Sequence, residues 1–217
     1  CSVFYKKDLS SGEIFRVDQN VFDDSLGYSS RPRINYDGSK VLFESSLDLT
    51  GELAYIDSSQ GNNIYLWDES NGLSLVNKTP EGSVIESQYG WHANFDQDGT
   101  KVVFQTGEVL AAEDTNSISD VYIKDLESGT IDLISTQTVL RQEPGGEFES
   151  QIGGIYPQIS PGGKFVYYQK YDYNTEGSYL FAYDIETGLT SEIPGVENTN
   201  SPNFSSENIE ALSSQGA

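Results

Sequence analysis

Residues 95–135 read FDQDGTKVVFQTGEVLAAEDTNSISDVYIKDLESGTIDLIS. In its second half Val121 and Ile123 alternate with Tyr122 and Lys124, a turn follows from Asp125 to Gly129, and alternation resumes at Ile131 and Leu133. Period-two alternation on both sides of a short turn predicts a β-hairpin. Within it, Tyr122, Asp125 and Gly129 form a spaced frame that recurs as Tyr5/Asp8/Gly12, Tyr65/Asp68/Gly72 and Phe181/Asp184/Gly188. The glycines fall roughly 60 residues apart, so the chain is a tandem array of one structural unit. Each frame residue has a turn role. The aspartate accepts hydrogen bonds from the backbone that follows it, and the glycine supplies the positive φ that closes the hairpin.

The first half of the stretch predicts a second kind of hairpin around Asp98-Gly99, with Phe104 five residues beyond the glycine. Sister copies turn at Gly38 and Gly163 and carry Phe43 and Tyr168 at the same offset. A worn fourth copy follows Pro202, where Glu207 and Asn208 replace the turn pair. Two hairpins per unit give four antiparallel strands, the composition of a propeller blade, and neighbouring blades must bury each other's faces. The fold expected is therefore all-β, a single β-propeller domain over 1–217 of about four four-stranded blades. Its blades fall at about 31–78, 92–136 and 156–194, with half-blades at 1–17 and 201–215. Either the two end halves complete one blade of a closed four-blade ring, or the chain is a segment of a larger propeller. The absence of any methionine points to a processed chain or a piece of a longer one.

Composition narrows the partners. With 34 acidic against 12 basic side chains the formal charge is −22, which repels nucleic acid and anionic lipid. No run approaches the roughly 18 apolar residues of a membrane helix, so neither nucleic acid binding nor membrane insertion is expected. The single cysteine, Cys1, excludes an internal disulfide and a cysteine-rich metal site. Preceding Asp8 together with Val3 and Tyr5, it reads as a strand residue.

At Asp98, Gly99, Phe104, Asp120, Val121, Tyr122, Asp125 and Gly129 the chain resembles the WD-repeat-like, TolB-type β-propeller repeat of bacteria. The segment Asp114-Thr115-Asn116 resembles a secreted variant of it. The Ser-Pro element of the family pattern appears only at Ser160-Pro161, and the fourth first-hairpin lacks both glycine and aromatic. The resemblance implies a scaffold without catalytic residues in the repeat, and an exported, periplasmic or extracellular, bacterial protein.

Chemistry-bearing constellations are sparse. His92 is the sole histidine and no Gly-x-Ser-x-Gly elbow occurs, so no nucleophilic triad is expected. The Gly-Gly pairs at 145, 153 and 162 lack the lysine and helix of a phosphate loop. Oxygen-ligand calcium is the only metal chemistry left, with Asp114 and Asp120 as weak candidates. Function on such a scaffold sits on the long links between hairpins and blades, such as 17–31, 76–90 and 135–154. Tyr28, Arg31, Arg33, Tyr89, Trp91, His92 and Tyr156 fall on or beside these links, just before or within the innermost strands. Aromatic groups with a few charges suit a protein, peptide or glycan ligand; packing between blades is the competing role for the same side chains. The expectation is a non-catalytic binding propeller. A gating propeller of a larger prolyl-oligopeptidase-like hydrolase, or a calcium-stabilised surface repeat, are the alternatives.

Overall fold

The computed structural model describes residues 3–19, 29–53, 62–85, 91–116, 118–135, 138–143, 146–151, 153–172 and 177–193, and the regular structure in them is all β. The chain opens with a hairpin of β1 (Tyr5–Lys7) and β2 (Ile14–Arg16). A four-stranded antiparallel sheet follows, ordered β3 (Ser29–Ile34), β4 (Lys40–Ser45), β5 (Asn63–Asp68) and β6 (Gly72–Leu75). A second has β7 (Asn94–Phe95), β8 (Lys101–Thr106), β9 (Asp120–Asp125) and β10 (Ile131–Leu133) in the same order. After a separate hairpin of β11 (Thr138–Glu143) and β12 (Gly146–Gln151) comes the third sheet, β13 (Ile155–Ile159), β14 (Phe165–Asp172), β15 (Gly177–Asp184) and β16 (Leu189–Ile193). Strands adjacent in sequence are adjacent in every sheet, which is the up-and-down meander of propeller blades.

The two hairpin types meet at one cross-strand pair per blade. Phe43 lies opposite Tyr65, Phe104 opposite Tyr122 and Tyr168 opposite Phe181. The rings stack with centroids 5.8, 6.0 and 5.9 Å apart. Alternation then assigns each blade two apolar faces. Phe43 and Tyr65 join Val17 and Val41 in one cluster, whereas Leu42, Ile64 and Leu66 point the other way, into a cluster with Trp91, Val102, Phe104 and Tyr122 of the second blade. The second blade's opposite face, Val103, Val121 and Ile123, packs on Val166, Tyr168 and Phe181 of the third. The core is thus a series of slabs between blades. Backbone bonds tie the first turns together as well: Tyr36 N donates to Gln97 O and Gln97 N to Pro161 O, both at 3.0 Å.

The frame behaves as turn chemistry requires. Asp125 Oδ1 accepts from Glu127 N and Ser128 N at 3.0 and 2.8 Å, and Gly129, at φ 76°, donates to Asp125 O. The same pattern holds at Asp8, Asp68 and Asp184. These bonds favour the ionised carboxylate. The Asp8 carboxyl accordingly falls to about 2, chiefly through its bond from the Ser10 hydroxyl.

One linking segment differs from expectation. The stretch 135–154, read as a loop, contains the β11–β12 hairpin, in register from Thr138 opposite Gln151 to Glu143 opposite Gly146. Pro144-Gly145 lies between the two strands, and such a pair favours a reversal of the chain. The worn copy at 201–215, on which the closed-ring alternative depends, lies outside the described residues.

Candidate functional site

Strand register aligns the innermost strands residue by residue. Arg33 lies opposite Leu42, Asn94 opposite Val103 and Gln158 opposite Tyr167, one position before each blade's stacked aromatic. Two residues earlier in each blade stand Arg31, His92 and Tyr156. These three are the non-glycine residues with positive φ among those described, at 52°, 48° and 55°. In the first and third blades the register shifts in the same place, between Ser30 and Arg33 and between Ile155 and Gln158. A bulge turns the backbone there, and left-handed geometry costs a side-chain-bearing residue about 1–2 kcal/mol.

The equivalent residues touch one another across the blades. Arg31 Nη2 approaches His92 Nε2 at 3.4 Å, and the His92 ring meets Tyr156 edge-on with centroids 4.6 Å apart. A guanidinium only donates, so Nε2 accepts and His92 carries its proton on Nδ1. Burial, and secondarily the Arg31 charge, lowers the His92 pKa to about 4, keeping the ring neutral at physiological pH. One tier deeper, Asn94 Nδ2 donates to Gln158 Oε1 at 2.7 Å. Arg33 occupies the same tier, exposed, and among the described residues its Nη1 donates to Pro32 O at 3.3 Å.

A cross-blade latch holds this cluster. Glu44, only 1% exposed, follows the stacked Phe43; its Oε2 accepts from Arg31 Nη1 at 2.8 Å, and its Oε1 accepts from Ala93 N of the next blade at 3.2 Å. Gln105 holds the corresponding position in the second blade and accepts from Tyr156 N at 2.6 Å. The bond shifts back by one residue there because Pro157, at the Ala93 position, has no N–H. The sequence reading missed both residues. Their signal was a polar side chain directly after the recurrent aromatic, in KVLFES and KVVFQT.

Of the residues singled out in the sequence, Arg31, His92 and Tyr156 come together and Arg33 stands beside them. Trp91 is fully buried: it packs edge-on against Phe104 at 5.6 Å, and its Nε1 donates to Asn62 O. Its role is inter-blade packing. Tyr28 and Tyr89 lie outside the described residues. Asp114 and Asp120 are both buried. Asp114 accepts from the Tyr122 hydroxyl and from Asn116 N, while Asp120 accepts from Ser135 Oγ at 2.6 Å and Asn116 Nδ2 at 3.1 Å. Burial, opposed by those bonds, raises the Asp120 pKa. Among the described residues, no group of three or more His, Cys, Asp or Glu side chains is placed to hold a metal. No helix among them is long and apolar enough to cross a membrane.

No family model matches the chain, and no curated protein matches it. Solved structures do. A prolyl endopeptidase structure is similar over 89% of this chain and 26% of its own, with 14% identity and a TM-score of 0.51. TolB from Acinetobacter baumannii is similar over 89% of this chain and 38% of its own, at 18% identity and a TM-score of 0.49. The β-propeller domain of the Trilobed protease from Pyrococcus furiosus shares 16% identity over 83% of this chain and 44% of that one, with a TM-score of 0.46. This chain thus spans less than half the length of each. Meander topology, blade-on-blade packing and the first of these similarities define the class: the chain is a β-propeller.

Proposed function

We propose that the chain is a non-catalytic binding propeller of an exported bacterial protein, built from TolB-like repeats, which holds a protein, peptide or glycan ligand at the mouth formed by Arg31, Arg33, His92 and Tyr156. The observation that carries this reading is the contrast among equivalent positions. Where blades pack on each other, the three copies keep one residue type, aromatic on aromatic. At the mouth, backbone geometry is shared but the side chains are arginine, histidine and tyrosine. Tyr156 is 40% exposed beside the His92 ring, an aromatic surface of the kind that ligands stack on. Export is supported by the repeat resemblance, the acidity and the single thiol. The test is a screen of peptide and glycan arrays with the wild-type chain and Tyr156→Ala. Hits weakened by the substitution support the reading; hits indifferent to it place recognition elsewhere.

A second reading, the substrate-gating propeller of a larger peptidase, is favoured by the similarity to the prolyl endopeptidase, of which this chain matches 26%. Sequencing the flanking reading frame tests it. A Gly-x-Ser-x-Gly element with downstream Asp and His supports the reading, and its absence from the complete gene refutes it.

A further inference from the structure

We propose that the ligand of this mouth is a peptide bearing a carboxylate, with the acid seated on Arg31 and Arg33 and the adjoining backbone laid along Asn94 and Gln158. The proposal rests on the binding reading above and names its ligand class.

The molecule is strongly anionic, with 34 acidic residues in 217, yet its two mouth tiers contain none. Arg31, His92 and Tyr156 form the outer tier, and Arg33, Asn94 and Gln158 the inner one. Among the described residues, the carboxylate bonded to a tier side chain is Glu44, which is buried and is engaged by Arg31 and by Ala93 N. His92 is neutral. Among the described residues, Glu44 therefore offsets one guanidinium and no second carboxylate is bonded to the other.

Arg31 is also prepositioned. Its Nη1 is held by Glu44 and its Nη2 by His92, while its side chain stays 38% exposed. A guanidinium has five N–H donors, so three on Arg31 remain for a ligand. Arg33 uses one donor on a neighbouring carbonyl and offers the rest. Forked N–H pairs match a carboxylate geometrically. Fixing Arg31 before binding removes side-chain entropy that a free arginine would lose on binding.

The inner tier favours a peptide over an acidic sugar. Asn94 and Gln158 present primary amides bonded to each other; Asn94 Oδ1 also accepts from Phe95 N, so the pair retains N–H donors on both amides and one further lone pair on each oxygen, the complement of a backbone C=O and N–H. Tyr156 adds an exposed ring at the rim for an apolar side chain. Long-range repulsion from a −22 chain opposes non-specific adsorption of acids, so binding of an acidic peptide reports a local site.

The experiment is fluorescence anisotropy at about 0.1 M salt, where the Debye length is about 10 Å. One labelled probe is a short Asp/Glu peptide and the other its Asn/Gln counterpart, with unlabelled trigalacturonate as competitor. The proteins are wild type, Arg33→Gln, which among the described residues gives up a bond to one carbonyl, and Arg31→Lys, which keeps the charge but loses the fork. The expected result is binding of the acidic probe, at least tenfold weaker binding of the neutral one, and at least tenfold losses in both variants with Tm unchanged in Arg33→Gln. Equal binding of both probes, or an Arg33→Gln variant that binds the acidic probe as wild type does, overturns the carboxylate inference and leaves the binding reading standing. Trigalacturonate bound in preference to the acidic probe overturns the peptide assignment. No binding of any of the three overturns the proposal, and the reading beneath it falls only if the peptide and glycan arrays are blank as well.

Discussion

Replacing Glu44 with alanine and with glutamine separates two jobs of one buried side chain. In Glu44→Ala, Ala93 N loses its acceptor in a buried setting, which costs about 1–3 kcal/mol. Arg31 loses its partner but remains partly solvated, so that loss is discounted to below about 1 kcal/mol. The emptied space adds roughly 1 kcal/mol. The total is about 3 kcal/mol, or a fall in Tm of about 6–12 °C for a chain of this length. Glutamine keeps an oxygen where Oε1 stands, and Gln105 already performs that bond with an amide in the next blade. Glu44→Gln should therefore cost about 1 kcal/mol, about 2–4 °C. Thermal unfolding followed by circular dichroism at neutral pH measures both. Equal losses in the two variants would refute the latch and assign the stability to charge. A Tm within 1 °C of wild type in Glu44→Ala would show that the bond to Ala93 contributes nothing.

Three further outcomes follow from the packing. A double-mutant cycle on Phe104→Leu and Tyr122→Leu should return a coupling of about 0.5–1.5 kcal/mol by urea denaturation, since the rings stack at 6.0 Å; strict additivity would mean the stack is only area. Gly129→Ala and Gly153→Ala should differ widely. A Cβ at Gly129 meets open space, leaving the cost of φ 76° at about 1–2 kcal/mol. At Gly153 it would stand 1.9 Å from Ser119 O, so the variant should lose more than about 4 kcal/mol and with it most soluble yield. Burial lowers the Lys170 pKa to about 8 against an ordinary 10.5, partly offset by Asp120. Between those values the unfolded chain binds more protons, so stability rises with pH across that window. Burial also holds the Tyr168 phenol up to about 12, which reverses the trend above pH 10. Tm measured from pH 8 to 9.5 should climb in the wild type and climb less in Lys170→Met; identical slopes would remove Lys170 as the cause.

What could be read in advance was local. An aspartate that accepts from the next two or three amides, and a glycine that closes the same turn, act within five residues, so Asp68, Asp125 and Asp184 declared themselves by spacing alone. The stacked pairs were half visible: Phe104 and Tyr122 each recur, but their meeting depends on strand register. Trp91 shows the limit, because an aromatic just before an inner strand suits a rim and a core equally, and only the first blade, whose Leu42, Ile64 and Leu66 pack around it, decides that it is buried. Glu44 and Gln105 were legible only as polar residues inside a strand; their role was not, since the N–H groups they accept from belong to the next blade. The positive φ at Arg31 and Tyr156 likewise coincides with the bulges of the first and third inner strands, and His92 shares the geometry, which no residue pattern announces.

Glu44 and Gln105 together bear on what the mouth is for. They hold the same position in successive blades, and each accepts one backbone N–H from the blade that follows. An amide therefore suffices for the latch. A buried carboxylate costs more to desolvate than an amide, so the charge at position 44 needs a second task, and the bond to Arg31 is the one the structure provides. Arg31 in turn spends donors on Glu44 and His92 yet stays exposed. A guanidinium tethered from beneath is fixed for something above it. Glu44→Gln should then loosen Arg31 more than it loosens the fold: Tm falls by only about 2–4 °C, while affinity for the acidic probe drops severalfold. A variant that loses stability and keeps full affinity would show that the tether serves packing alone.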